Sequence, residues 1–347
     1  MRHACRIFAA FALSVLANLF SLQARAADVA GDFYKGKTVR VVIGYSVGGG
    51  FDLYGRIMAR YIGAHIPGNP TVIPQNMPGA GSLKAANYIY NVAPKDGTVF
   101  GIFARGIPME KLLGRVEGHQ FDATKFTWLG SVTDEPSVCA FWSASGIHSW
   151  QDMQTKPFKM GGAGVTSDQD VYANVMRNLF HLPGRLVTGY PGGAEVVLAM
   201  ERREVDGRCG WSWSSLTSLD KPFLDKKLID IPVQLGIELN PDLPDVPLVM
   251  DLTPDPKVKA ALKLIFSRQV MARPFAAPPG IPEARAKALR DAFDATMQDK
   301  DFLAEAKKIG LEVRPVRGTR IDQLVKELYS YPPDVVKIAA GAIQNAQ

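Results

Sequence analysis

Two stretches of this chain repeat one local pattern: an apolar, β-branched run, a glycine-rich turn, then an amphipathic helix. Residues 38–45 (TVRVVIGY) read as a buried strand, and Gly48-Gly49-Gly50 breaks it. Residues 52–65 then place Tyr54, Ile57, Met58, Tyr61 and Ile62 on one helical face. A second strand at 71–75, a turn at Gly79 and Gly81, a helix at 82–92 and a strand at 98–103 complete the first unit. The second unit starts with a strand at 138–142, a short helix at 149–153 and a strand leading to Gly161-Gly162-Ala163-Gly164. A helix at 167–180, a strand at 186–190, the turn Pro191-Gly192-Gly193, a helix at 194–202 and a strand at 205–210 follow. Strands that alternate with crossover helices belong in parallel sheets covered on both faces. The expected fold is therefore α/β with two lobes, each a mainly parallel sheet flanked by helices. Downstream, 241–256 is proline-rich and reads as irregular and exposed. Residues 265–271 read as a strand, and 282–297, 301–309 and 321–329 as amphipathic helices.

A chain of 347 residues exceeds what one core usually supports, which agrees with two lobes. Its first residues have the pattern of an export signal. Arg2, His3 and Arg6 precede a mostly apolar run at 7–22, and Ala24-Arg25-Ala26 is an A-x-A cleavage site. Ser14, Asn18, Ser21 and Gln23 interrupt the run, which is shorter than the ~20 apolar residues a membrane span needs. The expectation is cleavage after Ala26 and a periplasmic protein. Losing residues 1–26 removes three arginines and no acid, so the formal charge falls from +6 to +3. No basic stripe suggests nucleic acid. No heptads suggest a coiled coil, and the expected state is a monomer. Cys5 precedes the apolar run, so a lipid anchor at the cleavage site is not expected. Cys139 and Cys209 remain; in an oxidising compartment they form either a disulfide or two buried thiols, and spacing alone leaves both open.

Two motifs imitate catalysts. Residues 31–38 (GDFYKGKT) match a phosphate-binding loop letter for letter, but a strand follows where a helix is needed. Gly44-Tyr45-Ser46-Val47-Gly48 matches a nucleophile elbow in a strand-turn-helix context. A triad histidine late in the chain is missing, since the last histidine is His181. No metal-ligand spacing occurs, and no cofactor or metal is expected.

The turns suggest different chemistry. Helix N-termini present unpaired N–H groups and partial positive charge, and glycine lets an anion approach them. Four such turns occur, at 48–52, 78–82, 161–168 and 191–194. Facing lobes would aim them at one acidic ligand. Arg105, after the strand at 98–103, and Arg208 are candidates for a carboxylate, with Trp211 as a stacking platform. Interlobe salt bridges and core packing are the alternatives for these residues.

Seven segments occur in the order found in one family. They are Gly48-Gly49-Gly50-Phe51-Asp52, residues 76–82 (NMPGAGS), 93–97 (APKDG), 190–193 (YPGG), 204–206 (EVD), 243–247 (LPDVP) and 277–282 (APPGIP). Together they resemble the Bug receptors, the substrate-binding proteins of tripartite tricarboxylate transporters. The resemblance implies a type II periplasmic binding protein that closes like a Venus flytrap on a carboxylate and presents it to membrane permease subunits. It implies lobe one at 27–136 and 269–347 and lobe two at 137–268. It also implies a first ligand loop of Tyr45, Ser46, Gly48, Gly49, Gly50 and Asp52. The opposing loop would be Gly164, Val165, Thr166 and Ser167, with Tyr190 and Gly192 on the wall and Asp206 close by. Val47 and Phe51 stand where the family commonly has proline and threonine. Asp168 stands where it often has histidine, and predicts repulsion of a polyanion such as citrate. Two other functions fit parts of the pattern: a secreted hydrolase using Ser46, and a receptor that signals to a sensor kinase.

Overall fold

The computed structural model describes residues 30–114 and 118–344; the leader expected at 1–26 and its cleavage site lie outside the described residues. Strands β1 (Thr38–Ile43), β2 (Thr71–Asn76), β3 (Val99–Ile102) and β4 (Thr127–Ser131) come first. Strands β5 (Ser137–Trp142), β6 (Phe158–Gly161), β7 (Gly184–Val187), β8 (Gly207–Ser212) and β9 (Ile229–Leu235) follow, and β10 (Pro274–Ala277) and β11 (Val316–Arg317) come last. They form two sheets, ordered β11-β4-β10-β3-β1-β2 and β7-β6-β8-β5-β9.

Both sheets are mixed, which corrects the mainly parallel expectation. β1 is parallel to β2 and β3, whereas β10 runs antiparallel to β3 and β4, and β11 to β4. In the second sheet β6 is parallel to β7 and β8, and β5 is antiparallel to β8 and β9. The reason is how the chain travels between sheets. It leaves the first sheet along β4 and returns along β10, so these neighbours run in opposite directions. The two crossing segments bond to each other, Ala272 N–H to the Thr133 carbonyl at 3.1 Å and Glu135 N–H to the Gln269 carbonyl at 3.2 Å.

Helices cover both faces, and the strand period of two sorts the cores. Val39, Val41 and Ile43 pack with Tyr54, Ile57 and Met58 of helix Gly50–Tyr61. Val42 faces the other way, toward Ala85, Ala86 and Ile89 of helix Leu83–Asn91. In the second sheet Val138 and Ala140 meet Val196 and Met200 of helix Gly193–Glu201. Cys139 and Phe141 instead face Val171 and Val175 of helix Asp168–Phe180. Cys139 of β5 and Cys209 of β8 form a disulfide.

Two local expectations are overturned. Residues 265–271 are not a strand: helix Pro256–Phe266 starts at an Asp255 cap and runs into a 3-10 turn over Ser267–Met271. Ser267 Oγ and Arg268 Nε donate back to the Leu264 and Ile265 carbonyls, which keeps the segment coiled. Within 241–256, Leu248, Val249 and Met250 are buried, because Leu248 bridges to Gln234 at the edge of the second sheet. Among the described residues no helix is long and apolar enough to cross a membrane.

Candidate functional site

A cavity of about 280 Å³ lies between the sheets, at the small end of ligand pockets. Two helix N-termini meet there. Gly49 caps helix Gly50–Tyr61 and Gly192 caps helix Gly193–Glu201, and neither has a side-chain cap. Their first N–H groups are thus left to a ligand or water. A Cβ on Gly49 would come within 3.8 Å of Gly193 N, so the two turns nearly touch. By contrast, Ser167 caps helix Asp168–Phe180 by accepting from Asp170 N–H.

The lobes are joined on both sides of the cavity. Ser46 Oγ donates to Glu195 Oε2 at 2.8 Å. On the other side, Thr166 Oγ1 donates to the Ala80 and Gly81 carbonyls, both at 2.8 Å, and Gly81 N–H donates to the Ala163 carbonyl at 3.1 Å. Gly81 needs its small size: at φ +64 a Cβ would sit 2.4 Å from Ser167 N.

Buried arginines dominate the electrostatics. Arg105 pairs with Asp168, and donates to the Glu135 carbonyl at 3.1 Å and Ser137 Oγ at 2.6 Å. Burial alone would lower its pKa, but the Asp168 carboxylate, Tyr172 and Glu135 hold it above its ordinary value. Arg268 adds a second cation 3.6 Å from Asp168. The repulsion expected from Asp168 is thereby offset: with two guanidinium groups against one carboxylate, the cluster is net positive. Arg273 pairs with Glu135 at 2.8 Å and spans to Ser214 and Ser215 of the second lobe.

Arg208 differs from these three. It lines the cavity, is 6% exposed, and has no carboxylate at ion-pair distance among the described residues, although Asp220 acts on it from farther away. Its Nη1 donates to the Gly193 carbonyl at 3.1 Å, its Nε is buried without a partner, and its guanidinium lies 4.8 Å from the Trp211 ring centroid. Burial pulls its pKa down to about 10, so it is a cation at neutral pH.

Of the residues named from sequence, Tyr45, Gly48, Gly49, Gly50, Arg105, Arg208 and Trp211 line the cavity. Asp52 lies beneath the first loop, accepting from Gly48 N–H at 3.0 Å, Arg56 Nε at 2.9 Å and Asn76 Nδ2 at 2.8 Å. Ser46, Thr166, Ser167 and Gly192 stand beside the cavity in the lobe–lobe contacts and caps just described; Gly164 lies against Gly81, and Val165 is half-buried. Tyr190 packs with the Val196 core, and Asp206 Oδ2 is taken by Lys159 N–H at 2.7 Å. Sequence reasoning did not place Phe51, Asp220 or Arg273 on the wall. The φ-independent signal for Phe51 was its position directly after the glycine triplet; Arg273 and Asp220 carry no local signal.

The two catalytic motifs find no supporting geometry. Residues 30–34 are helical and β1 follows, so the order around Gly36 is the reverse of a phosphate loop. The Ser46 hydroxyl is committed to a carboxylate instead of an imidazole, while His65 and His148 bind Asp299 and Asp230.

No family model and no curated protein sequence matches the chain. Solved structures do. The periplasmic binding protein BugD superposes with a TM-score of 0.72 at 17% identity, covering 89% of this chain and 98% of its own. MatC from Rhodopseudomonas palustris with bound malate gives 0.69 at 20% identity, covering 86% and 99%. An R. palustris protein with adipate gives 0.68 at 18% identity, covering 87% and 97%. The fold implied by the resemblance to the Bug receptors is the fold this chain has: two α/β lobes arranged as in the periplasmic binding protein BugD.

Proposed function

We propose that this protein is a periplasmic solute receptor that closes on a small organic acid and hands it to the permease subunits of a tripartite tricarboxylate-type transporter. Its lobes would be 27–136 with 269–347, and 137–268. The observation that carries the reading is Arg208: a buried cation with no carboxylate at ion-pair distance among the described residues, in the wall of a cavity lined by the first residues of two helices that have no side-chain cap. A buried charge without an ion-pair partner is costly, and a carboxylate would relieve it. The malate and adipate held by two proteins of the same fold support the ligand class. Closure without covalent chemistry fits the engagement of Ser46 with Glu195.

Thermal unfolding of the purified protein against a panel of carboxylic and amino acids tests this. A ligand at 100 times its Kd should add ~2.7 kcal/mol of stability. A shift with one acid, recovered unchanged by mass spectrometry, supports a receptor. The absence of a shift with every acid removes the carboxylate reading, and turnover of the acid would replace it with an enzyme.

A further inference from the structure

The ion pairs of the cavity wall leave two charges over. Arg105 is matched by Asp168 and Arg273 by Glu135. Arg208 and Asp220 also line the cavity; they attract each other, but neither is at ion-pair distance from an opposite charge among the described residues. They flank one indole: the Arg208 guanidinium lies 4.8 Å from the Trp211 ring centroid, and Asp220 Oδ2 accepts from Trp211 Nε1 at 3.1 Å. Much of the remaining wall is apolar, contributed by Phe51, Ala104, Ala194, Val197, Leu198 and Leu219. Leu198 and Leu219 are 47% and 39% exposed, so a ligand has apolar surface to cover.

Resting on the carboxylate reading of this cavity, we infer that its ligand is an apolar α-amino acid, with its carboxylate on Arg208, its ammonium on Asp220 and its side chain on the apolar wall. A zwitterion matches both unpaired charges at once. A dicarboxylate does not: its second carboxylate could be taken by a helix N-terminus, but Asp220 would stay without a counter-charge and would repel a second anion held in the same cavity. The matched arginines offer it little, since each already holds an acid. Burial disfavours the charged forms of both Arg208 and Asp220, so each gains from an arriving counter-charge.

Calorimetric titration of the wild-type protein compares L-phenylalanine with 3-phenylpropionate, L-leucine with 4-methylpentanoate, and both pairs with malate. An amino acid is expected to bind at least tenfold tighter than its des-amino partner and than malate. Asp220→Asn should weaken the amino acid at least tenfold and strengthen the des-amino acid, inverting the preference. Arg208→Gln should weaken both. Equal binding of the two partners, or tightest binding of malate, overturns the amino-acid assignment and leaves the carboxylate reading in place. Binding of no acid at all overturns both. The wild-type comparison decides the matter even if a variant fails to fold.

Discussion

Arg105 and Asp168 form an ion pair across the gap between the two sheets: one follows β3, the other opens the helix after β6, and their side chains are 1% and 12% exposed. Such a pair resembles a latch more than a ligand site, because the guanidinium is fully engaged by Asp168, Glu135 and Ser137. Removing one member leaves a buried, uncompensated charge, which costs about 3–5 kcal/mol. Asp168→Ala should therefore lower the unfolding free energy by roughly that amount in urea titrations, since it strands both Arg105 and Arg268. Arg314→Ala is the control. Its partner Asp134 is 49% exposed, and the loss should stay under about 1 kcal/mol.

The interlobe contact at Gly81 offers a test of closure. Gly81 lies against Gly164 and Ser167, and a methyl group there would collide with backbone atoms that cannot move aside. Gly81→Ala should hold the lobes apart and raise Kd at least tenfold. Small-angle scattering should show that ligand no longer contracts the variant. A variant that binds and contracts normally would mean that this contact plays no part in closure.

Ser46 provides a test between receptor and hydrolase. Its hydroxyl bridges to Glu195 on the far side of the cleft. A hydrogen bond of this kind contributes about 0.5–1.5 kcal/mol. Ser46→Ala should thus weaken ligand binding about two- to tenfold, and leave no ester or amide turnover to abolish. Turnover in the wild type that vanishes in the variant would reverse the assignment.

What could be read from sequence was what is local. A glycine triplet between an apolar run and an amphipathic face marks a helix N-terminus within a few residues, so Gly48, Gly49 and Gly50 were found on the wall. Arg208 and Trp211 were found because one strand carries them both. Arg273 and Asp220 were not, because their place depends on distant events: the return of the chain along β10, and the indole of Trp211 meeting a carboxylate nine positions on. The mixed sheets were missed for the same reason. β10 is four residues long, and its direction is set by pairing with β3 and β4, more than 140 residues earlier. Asp168 shows the limit of charge reading. Its sign was legible, but its offset by Arg105 and Arg268 was not.

The Cys139–Cys209 bridge closes a loop of 70 residues within the second lobe. On the chain-entropy account, restricting the unfolded chain over that length contributes about 4 kcal/mol. The Cys139→Ser, Cys209→Ser double variant should unfold at a correspondingly lower denaturant concentration, and dithiothreitol should have the same effect on the wild type. A transition unmoved by reductant would indicate two buried thiols.

Asp220 sets a pH dependence with a definite sign. Burial raises its pKa above the ordinary 3.8, although Arg208 and the Trp211 N–H oppose the shift. Between 3.8 and the raised value the unfolded chain has released this proton and the folded chain has kept it, so the contribution of this group to stability falls as pH rises through the window. Asp220→Asn should remove that slope from unfolding free energies measured between acid and neutral pH. Binding of a monocarboxylate to Arg208 follows the same proton. As pH falls and Asp220 becomes neutral, repulsion of the ligand carboxylate disappears, and affinity should rise until the ligand itself protonates. An amino acid should behave in the opposite way, losing affinity as its ammonium loses the Asp220 charge. Calorimetric titrations across the acid range should thus give slopes of opposite sign for 3-phenylpropionate and L-phenylalanine, and Asp220→Asn should flatten both. Slopes of the same sign would mean that Asp220 does not face the ligand.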